Sequence, residues 1–506
     1  MSKKMKEKVI KDIVHDYVEI NDFFETLINT KYFQRLRFIK QLTCQYVYPS
    51  ANHTRFEHSL GVYHLSRTCL KSLAAKLYKN FDLKANDFEN ILFNLSIAAL
   101  LHDIGHAPLS HLGELYYNKK EIIGRLESLS FERFVDENIF NVGSKHELMS
   151  CYIILEHFYN LILNHKFVME NKLQVDFELI CRMIVGAKYT KRCIENIAIE
   201  ILNSNTIDMD KLDYIMRDSY MTGVSVPKID VNRFFKGLNI DRNGKKLILE
   251  KQAITVAQNI IDARDCLYLL VYNHHITVYT DFVYEFYVKH LMLKYDKGSA
   301  AITEDKLCAA EMFSCRSISE KLMTDDDLVV KLKEYYVGNG KYSSYTKTLA
   351  PQIFERNFLK PLWKNLYEYK IFLTNSIKDS SVIKELEEKM CAKDYVYRSY
   401  IVHEIIKKTG IRLGEIFIVP RSNKFYSLNS ENKFYILVDE DLKEISELLP
   451  QKQFKDLYNN VSFYIFCKDE DKPKVEEAFV DIVRLGLPER NEIKYQVNIP
   501  NWLKES

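Results

Sequence analysis

LSIAALLHDIGHAPLSH, at residues 95–111, is an apolar helical segment that runs directly into a histidine and an aspartate. Gly105 and Pro108 follow at once and predict the end of this helix. Neighbouring residues of a helix point about 100° apart, so His102 and Asp103 can approach one ion only where the helix finishes. Imidazole and carboxylate together suit a borderline or hard divalent ion such as Fe, Mn, Co, Zn or Mg. The segment therefore predicts part of a divalent metal site.

Two other segments offer further ligands for such an ion. NHTRFEHSLGV (52–62) contains a T-x-x-E capping box at Thr54 and Glu57, which predicts a helix with Arg55 and His58 in its first turns. NTIDMDKLDYIMRDSY (205–220) is rich in acids for a segment with so many apolar positions, and it carries Asp210. The acids of this segment have mixed spacings, so only some of them share a helix face.

Each of these signals has a common structural explanation when it stands alone. A single histidine on a half-apolar helix is more often a core or surface residue, and a run of aspartates is often a solvated face with helix caps. Six of the 14 histidines, however, fall between residues 58 and 146, alongside the H-D-x-G-H pattern at a helix end. This joint occurrence favours a functional site.

Composition narrows the class of protein. The chain has 506 residues with 47% hydrophobic content, which is typical of a globular protein, and 71 Lys and Arg nearly cancel 69 Asp and Glu. No global field therefore recruits nucleic acid or an anionic membrane. Ten cysteines without a C-x-x-C pair predict free thiols in a reducing cytoplasm. The start lacks the apolar core of a signal peptide, and the apolar stretch 91–101 is too short to span a bilayer, so we expect a soluble protein.

Apolar spacing predicts a mainly α fold with a helical core and a smaller α+β C-terminal lobe. Core-facing helices are expected at 85–104, 148–164, 176–188 and 254–296, and strands at 414–420, 433–438 and 461–467. EDLKEISELL (440–449) has helical spacing and stops before Pro450. We therefore predict a core over 1–300, a helical connecting region over 301–400 and the α+β lobe over 401–506.

The order H…HD…D, carried by RFEHSLGV and LLHDIGHAPLSH, resembles the HD superfamily of metal phosphohydrolases. Within it, the chain is most similar to the deoxynucleoside triphosphate (dNTP) triphosphohydrolases, a dGTPase-like group, and above all to the mammalian type that joins a sterile alpha motif to the HD domain. The blocks that carry this likeness are FQRLRFIKQL (33–42), YPSANHTRFEHSLGV (48–62), DMDKLDYIMRD (208–218), Arg264 with Tyr272 and His274, and weakly ISELLPQKQF (445–454). It covers about residues 1–300, and no sterile alpha motif is expected.

The resemblance implies a role for each matching residue. The metal ligands would be His58, His102, Asp103 and Asp210. The catalytic residues would be His111, Glu114, His146 and Asp218, and the substrate-binding residues would be Gln41, Leu42, Arg55, His106, Lys211, Tyr214, Arg264 and Tyr272. In this assignment a histidine held by Glu114 is the acid for the departing 5′-oxygen, Asp218 holds the 3′-hydroxyl, and Tyr272 crowds the 2′ position. The mammalian pattern has Asp where this chain has Glu114.

The resemblance also implies a regulatory site built partly from residues 1–40, which in the mammalian type binds guanine nucleotides and deoxynucleotides between subunits. The matching residues are Val9, Ile10, Gln34, Arg37 and Arg233. Four others depart from the pattern: Asn29 replaces an acid, Lys11 an asparagine, and Glu250 and Gln252 two cations. Since charge-assisted contacts bind phosphate strongly, a triphosphate should bind here more weakly. We expect either a different activating nucleotide or constitutive activity, in a homotetramer or homohexamer.

These observations predict an enzyme that converts dNTP and water into deoxynucleoside and triphosphate with a divalent metal. One alternative is another HD phosphohydrolase, a nuclease or cyclic-nucleotide phosphodiesterase, which would not need Arg264 and Tyr272. A second is a nucleotide-sensing or nucleic-acid-binding scaffold with vestigial catalysis. The intact ligand set and the lack of a long basic tract with interleaved aromatics argue against the second. The expected partners are a dNTP substrate and a nucleotide effector, with neither membrane nor nucleic acid.

Overall fold

The computed structural model describes residues 8–130, 134, 137–241, 246–296, 313–337, 351–392, 395–421, 435–438, 441–444, 447 and 461–494. Its helices are α1 (Asp22–Ile28), α2 (Lys31–Gln34), α3 (Arg55–Phe81), α4 (Ala85–Leu101), α5 (His111–Glu114), α6 (Lys119–Ser130), α7 (Lys145–Ile153), α8 (Tyr159–Leu163), α9 (Lys166–Glu170), α10 (Phe177–Val185), α11 (Cys193–Leu202), α12 (Met209–Thr222), α13 (Val231–Lys236), α14 (Ile254–Leu267), α15 (His275–Asp296), α16 (Cys315–Ser319), α17 (Asp325–Val337), α18 (Leu366–Ser376), α19 (Ser380–Cys391), α20 (Val396–Thr409) and α21 (Lys472–Arg484). The predicted mainly α class is confirmed.

Within the described residues, short strands form three small sheets. The strands are β1 (Lys8–Asp12), β2 (Asp16–Ile20), β3 (Leu238–Ile240), β4 (Leu247–Glu250), β5 (Lys360–Pro361), β6 (Ile416–Pro420), β7 (Tyr435–Val438), β8 (Asp441–Glu444) and β9 (Phe463–Cys467). β1 and β2 make an antiparallel hairpin with Asp12 opposite Asp16. The other sheets have the orders β3-β4-β7-β8 and β5-β9-β6. The predicted strands at 414–420, 433–438 and 461–467 thus appear as β6, β7 and β9.

Two compact units account for the chain. The first contains Met1–Leu267, Ala310–Asp327 and Tyr426–Lys452, and the second contains Tyr268–Ala309, Leu328–Phe425 and Gln453–Ser506. Both units are discontinuous in sequence, whereas the division into 1–300, 301–400 and 401–506 is continuous, and that division stays a proposal. No described helix is both long enough and apolar enough to cross a membrane.

The core of the first unit is built on α3 and α4, which pack along each other. Leu95 and the run Ile97–Leu101 of α4 have no exposed surface, so the C-terminal half of this helix is buried on all sides. α10 packs against α4, and α12 packs against α3. Because α4 ends inside the unit, the His102-Asp103 pair at its end is buried among its neighbours.

One helix prediction is wrong at its first residues. The pattern of 440–449 predicts a helix, but Asp441–Glu444 is a strand that pairs antiparallel with β7. Backbone pairing across a tight connection outweighs a weak helical preference here, as is common for short segments. The rest of that segment, and the block 445–454 except Glu447, lies outside the described residues.

Candidate active site

Four side chains predicted as metal ligands converge on one point, three of them buried and Asp210 partly exposed. Nε2 of His58 lies 2.9 Å from Oδ1 of Asp210 and 3.6 Å from Oδ2 of Asp103. Nε2 of His102 lies 3.4 Å from Oδ1 of Asp103 and 3.8 Å from Oδ1 of Asp210. His58, His102 and Asp103 are at most 7% exposed. Three helices, far apart in sequence, therefore bring two imidazoles and two carboxylates together.

Helix termini fix these positions. Thr54 and Glu57 form the predicted capping box of α3, which places His58 in the first turns of that helix. Asp208 caps α12 and accepts from the amide of Lys211 at 2.8 Å, which places Asp210 in the first turn. The predicted ligands thus come from the first turns of α3 and α12 and from the two residues that follow α4.

The residues fit a divalent cation. Nδ1 of His102 lies 2.9 Å from the carbonyl of Ala99, which can only accept, so Nδ1 carries the proton and the lone pair of Nε2 faces the cluster. That Nε2 is buried and makes no hydrogen bond within the described part of the chain. Donor atoms of His58, His102 and Asp103 all lie within 4.8 Å of one another. These nitrogen and carboxylate donors suit the borderline or hard ions expected from the sequence.

The electrostatics of this cluster favour positive charge. Burial by itself disfavours the imidazolium, but hydrogen bonds to Asp210 and Asp213 outweigh it and raise the pKa of His58 to about 10. Burial likewise opposes ionisation of Asp103, yet Arg55, 2.7 Å away, holds the pKa of that carboxyl well below its usual range. The carboxylates stay charged, so a cation is the natural occupant.

A second cluster lies next to the first. Glu114 of α5 is 2.9 Å from Nδ1 of His106, 3.0 Å from Nδ1 of His111 and 2.8 Å from Nδ1 of His146. The rings of His106 and His146 stack, with centroids 4.2 Å apart. His106 also approaches Oδ1 of Asp103 at 3.1 Å, so one imidazole joins the two clusters.

The histidines of this second cluster differ in protonation. Burial, and then the charge of Arg55, lower the pKa of His106 to about 4. Burial also disfavours the cation of His146, but the Glu114 carboxylate outweighs it and raises the pKa of His146 to about 9. The pKa of Glu114 itself lies well below its ordinary value, because nearby imidazoles overcome its burial. The arrangement holds a proton on His146 at neutral pH, as a general acid requires.

Both clusters open into one cavity of about 180 Å³. Seven predicted site residues outside the metal ligands line it: Gln41, Arg55, His106, His111, His146, Lys211 and Tyr214. Three of the predicted ligands, His102, Asp103 and Asp210, are in its wall as well. The ammonium of Lys211 donates to the carbonyl of Ser204 at 2.8 Å and pairs with Asp208. The cavity thus has predicted metal ligands, imidazoles and the cations Arg55 and Lys211 on its walls.

Other predicted site residues are not in this wall. Arg264 is one step away, since its Nε donates to the hydroxyl of Tyr214 at 3.2 Å. Asp218 is buried, with Oδ1 2.7 Å from Nε2 of His53. The carbonyl oxygen of Leu42 accepts a hydrogen bond from Nε2 of Gln45 at 2.6 Å. Tyr272 belongs to the second unit, in a π-helix that ends at this residue. The roles of these residues stay predictions.

The predicted regulatory residues occupy three places. Val9 and Ile10 are on β1. Arg37 donates to the amide oxygen of Gln34 at 2.9 Å and covers the ring of Phe56 at 3.5 Å from its centroid. Arg233 donates to the carbonyl of Gln252. Among the residues that differ from the family pattern, Glu250 forms an ion pair with Lys76 at 2.9 Å. A nucleotide site here stays a prediction.

The structure adds residues that the sequence did not single out. Asp213 lies 2.7 Å from Nδ1 of His58 and so supports a predicted ligand from behind. Asn203 lines the cavity and donates to Glu147 at 2.9 Å. His53, only two residues before Arg55, pairs with Asp218. Asp213 follows Asp210 by three residues, so helical spacing was the available signal for it.

Comparisons with known proteins agree with this geometry. Residues 55–210 match the family model of the HD domain, a span that begins at Arg55 and ends at Asp210. The chain therefore contains an HD domain over these residues, with a His/Asp cluster that could hold a metal ion.

More particularly, the chain is similar to proteins named deoxynucleoside triphosphate triphosphohydrolase SAMHD1. The SAMHD1 homolog of Dictyostelium discoideum is 30% identical over 276 residues, and SAMHD1 of Gallus gallus is 30% identical over 290 residues. These alignments cover 54% and 53% of this chain and 48% and 43% of those proteins, so the chain spans about half the length of these curated relatives. The resemblance predicted from the motifs is confirmed.

Similarity also extends beyond the HD domain. An uncharacterized protein of Methanocaldococcus jannaschii is 26% identical over 453 residues, which cover 88% of this chain and 75% of that protein. The crystal structure of a hypothetical protein from Aquifex aeolicus superposes with a TM-score of 0.60 at 22% identity, and covers 93% of this chain and 99% of that one. The latter likeness establishes the fold alone.

Proposed function

We propose that this protein is a metal-dependent dNTP triphosphohydrolase that converts a dNTP and water into deoxynucleoside and intact triphosphate. One observation carries the proposal: a cavity of about 180 Å³ is lined by three of the four predicted metal ligands, by the three histidines that contact Glu114, and by the cations Arg55 and Lys211. Hydrolysis at the α-phosphorus needs these three functions together. The homology to SAMHD1, whose name states this activity, supports the same substrate class.

The residues would divide the work as follows. His58, His102, Asp103 and Asp210 would hold the divalent ion, which when bound supplies Lewis-acid polarisation of a phosphoryl oxygen and of water. Arg55 and Lys211 neutralise phosphate charge, and Tyr214 adds a hydroxyl that Arg264 orients at 3.2 Å. Each of these contacts grows stronger as charge develops on the phosphoryl oxygens.

The leaving 5′-oxygen needs a proton, and the second cluster can deliver it. His111 is the most accessible member, with 68% of its side chain exposed, and its Nδ1 lies 3.0 Å from Glu114. The carboxylate of Glu114 contacts both His111 and His146, so it can orient the two imidazoles together. We assign His111 as the donor and His146 with Glu114 as the groups that orient and recharge it.

Sugar selection and assembly complete the proposal. Gln41 lines the cavity, and Leu42, Asp218 and Tyr272 are assigned to the sugar by the family pattern. At the regulatory positions, Asn29, Lys11, Glu250 and Gln252 differ from the family pattern. We therefore expect activation by a nucleotide other than a guanine nucleotide, or constitutive activity. A homotetramer or homohexamer, a cytoplasmic location and a role in limiting dNTP pools against viruses or phage are further parts of the proposal, supported by the resemblance.

Product analysis tests the reaction. Metal-supplemented protein is given each of the four dNTPs singly and then all together, with and without GTP, and products are separated by ion exchange. The wild-type protein is expected to release deoxynucleoside and triphosphate. The His102→Ala/Asp103→Ala double variant is expected to release neither. Lys166→Ala/Glu170→Ala removes an exposed ion pair of the same unit and is the matched control.

Other products would decide between the alternatives. Release of pyrophosphate or of single phosphate from a dNTP would contradict the assigned bond. Cleavage of a DNA fragment or a cyclic dinucleotide, with no action on any dNTP, would move the assignment to another HD phosphohydrolase. Inactivity on all of these substrates, with nucleotide binding retained, would favour a sensor. Activity that depends strongly on GTP would contradict the expectation for the regulatory site.

A further inference from the structure

The turn of the N-terminal hairpin reaches the back of the metal cluster. Nε2 of His15, in the turn between β1 and β2, lies 2.6 Å from Oδ1 of Asp213. The other oxygen of Asp213 lies 2.7 Å from Nδ1 of His58. One carboxylate therefore joins the hairpin turn to a side chain that the proposed function assigns to the metal.

A second connection runs through Arg217. Its Nε and Nη2 donate to the two oxygens of Asp213 at 2.9 and 3.0 Å, and its Nη1 donates to Oδ2 of Asp12 at 3.0 Å. Oδ1 of Asp12 in turn accepts from the amides of Val14 and His15, both at 2.8 Å. Asp12 thus closes the hairpin turn and holds the arginine at the same time.

These groups are buried, so their mutual contacts are strong. Asp213 is 0%, Arg217 1% and Asp12 5% exposed. In such surroundings, removal of one charged partner leaves the others without compensation. A movement of Asp12 or His15 therefore changes the contacts of Asp213, and through Asp213 the position of the His58 ring.

We propose that the hairpin turn, through Asp12 and His15, positions the metal ligand His58, so that docking of the hairpin and binding of a divalent ion are thermodynamically coupled. Asp213 and Arg217 transmit the coupling. Asp12, His15 and Arg217 are positioning residues in this scheme, since none of them lines the cavity within the described part of the chain. The inference rests on the metal site of the proposed function.

The expected size of the effect follows from how metal sites are built. Groups that hold a ligating histidine from behind typically contribute 10- to 100-fold to metal affinity. By linkage, the metal must stabilise the docked hairpin by the same factor. Val9 and Ile10 lie on the same hairpin, so a ligand there would have a direct physical route to the metal site.

Metal titration of the full chain tests the coupling. Free Mn²⁺ is counted by electron paramagnetic resonance in wild type and in Asp12→Asn, which keeps an oxygen for the Val14 and His15 amides but removes the charge that faces Arg217. We expect about 10- to 100-fold weaker binding in Asp12→Asn. Asp16→Asn is the matched control, since Asp16 lies opposite Asp12 on the same turn with a 71% exposed side chain. It should bind Mn²⁺ as wild type does.

Hydrogen exchange supplies a readout that needs no hairpin variant. Mn²⁺ should slow exchange of the Val14 and His15 amides in wild type, and should leave it unchanged in His102→Ala/Asp103→Ala. Equal Mn²⁺ affinity in wild type and Asp12→Asn, or hairpin amides indifferent to Mn²⁺, would overturn the coupling even if Asp12→Asn melts at a lower temperature. Wild type that binds no Mn²⁺ in a His102- and Asp103-dependent way would overturn the metal site itself, and this inference with it.

Discussion

Gly61 offers the sharpest single test of how the metal cluster is packed. It lies on α3, three residues after His58, and a Cβ placed on it would come 1.8 Å from Oδ1 of Asp213 and 2.6 Å from Nη2 of Arg217. Ordinary non-bonded contact begins near about 3.5 Å, so in Gly61→Ala the carboxylate must move by roughly 1.5 Å. Its contact with Nδ1 of His58, now 2.7 Å, would then be lost.

The magnitude follows from two opposing effects. Separating a buried ion pair such as Asp213 and Arg217 costs about 3–5 kcal/mol, because both charges remain buried. Alanine in place of glycine in a helix interior returns about 1 kcal/mol. The net loss in the free energy of unfolding is therefore about 2–4 kcal/mol, which lowers the melting temperature of a unit of this size by roughly 3–6 °C.

The assay compares Gly61→Ala with Gly124→Ala. Gly124 also lies inside a helix, α6, and a Cβ placed there meets no atom within 4 Å. Gly124→Ala should therefore raise the melting temperature by about 1–2 °C, which is the opposite sign for the same chemical change. Mn²⁺ affinity should fall only in Gly61→Ala. If Gly61→Ala melts and binds Mn²⁺ as wild type does, the close packing of Asp213 on α3 is refuted.

Three further outcomes are expected. The pKa of His146 is about 9 and so lies above its ordinary value; the imidazolium persists below that pH, and hydrolysis should fall as pH rises through about 9. Glu114→Gln should move this fall to lower pH in rate–pH profiles, and an unmoved fall would contradict the assignment. Burial raises the pKa of Asp325 from 3.8 to about 6, so the stability that its neutral form supports is present below pH 4 and lost through pH 6. From pH 4 to pH 7, the free energy of unfolding of Asp325→Asn should thus rise relative to that of wild type by up to about 3 kcal/mol in thermal melts. A difference between the two proteins that does not change with pH would contradict this. Lys211→Gln should lower kcat/KM for a dNTP by about 10- to 100-fold, since hydrogen bonds to charged groups contribute about 1.5–3 kcal/mol; exposed Lys166→Gln should not.

Local sequence signals predicted the elements that carry the site. The capping box at Thr54 and Glu57 exists as predicted, and α4 ends at Leu101, immediately before His102. Such signals depend on contacts within one helical turn, so a short stretch of sequence contains all of their information. The predicted strands 414–420 and 461–467 pair with each other as β6 and β9, although the pairing itself was not predicted.

Spatial relations between distant segments were less accessible. The helical pattern of 440–449 gave the wrong structure for Asp441–Glu444, because the outcome depends on the partner strand β7. Asp218 has the spacing of a site residue, yet in the structure its carboxylate faces His53, 165 positions away. A sequence pattern states which residues share a helix face, but not which distant side chain meets that face.

The support of His58 shows most clearly where such prediction stops. Asp213 shares a helix with the predicted ligand Asp210, and Gly61 shares one with His58, so both stood in segments that the motifs had already marked. Their role comes from the close approach of α3 and α12. At position 61 of α3 only glycine fits, because a Cβ there would meet Asp213 and Arg217 of α12. The same approach lets the hairpin turn reach Asp213. The glycine of the RFEHSLGV motif is therefore required by the packing of α12 behind the cluster. Gly61→Ala should weaken metal binding although the new methyl group contacts no predicted ligand.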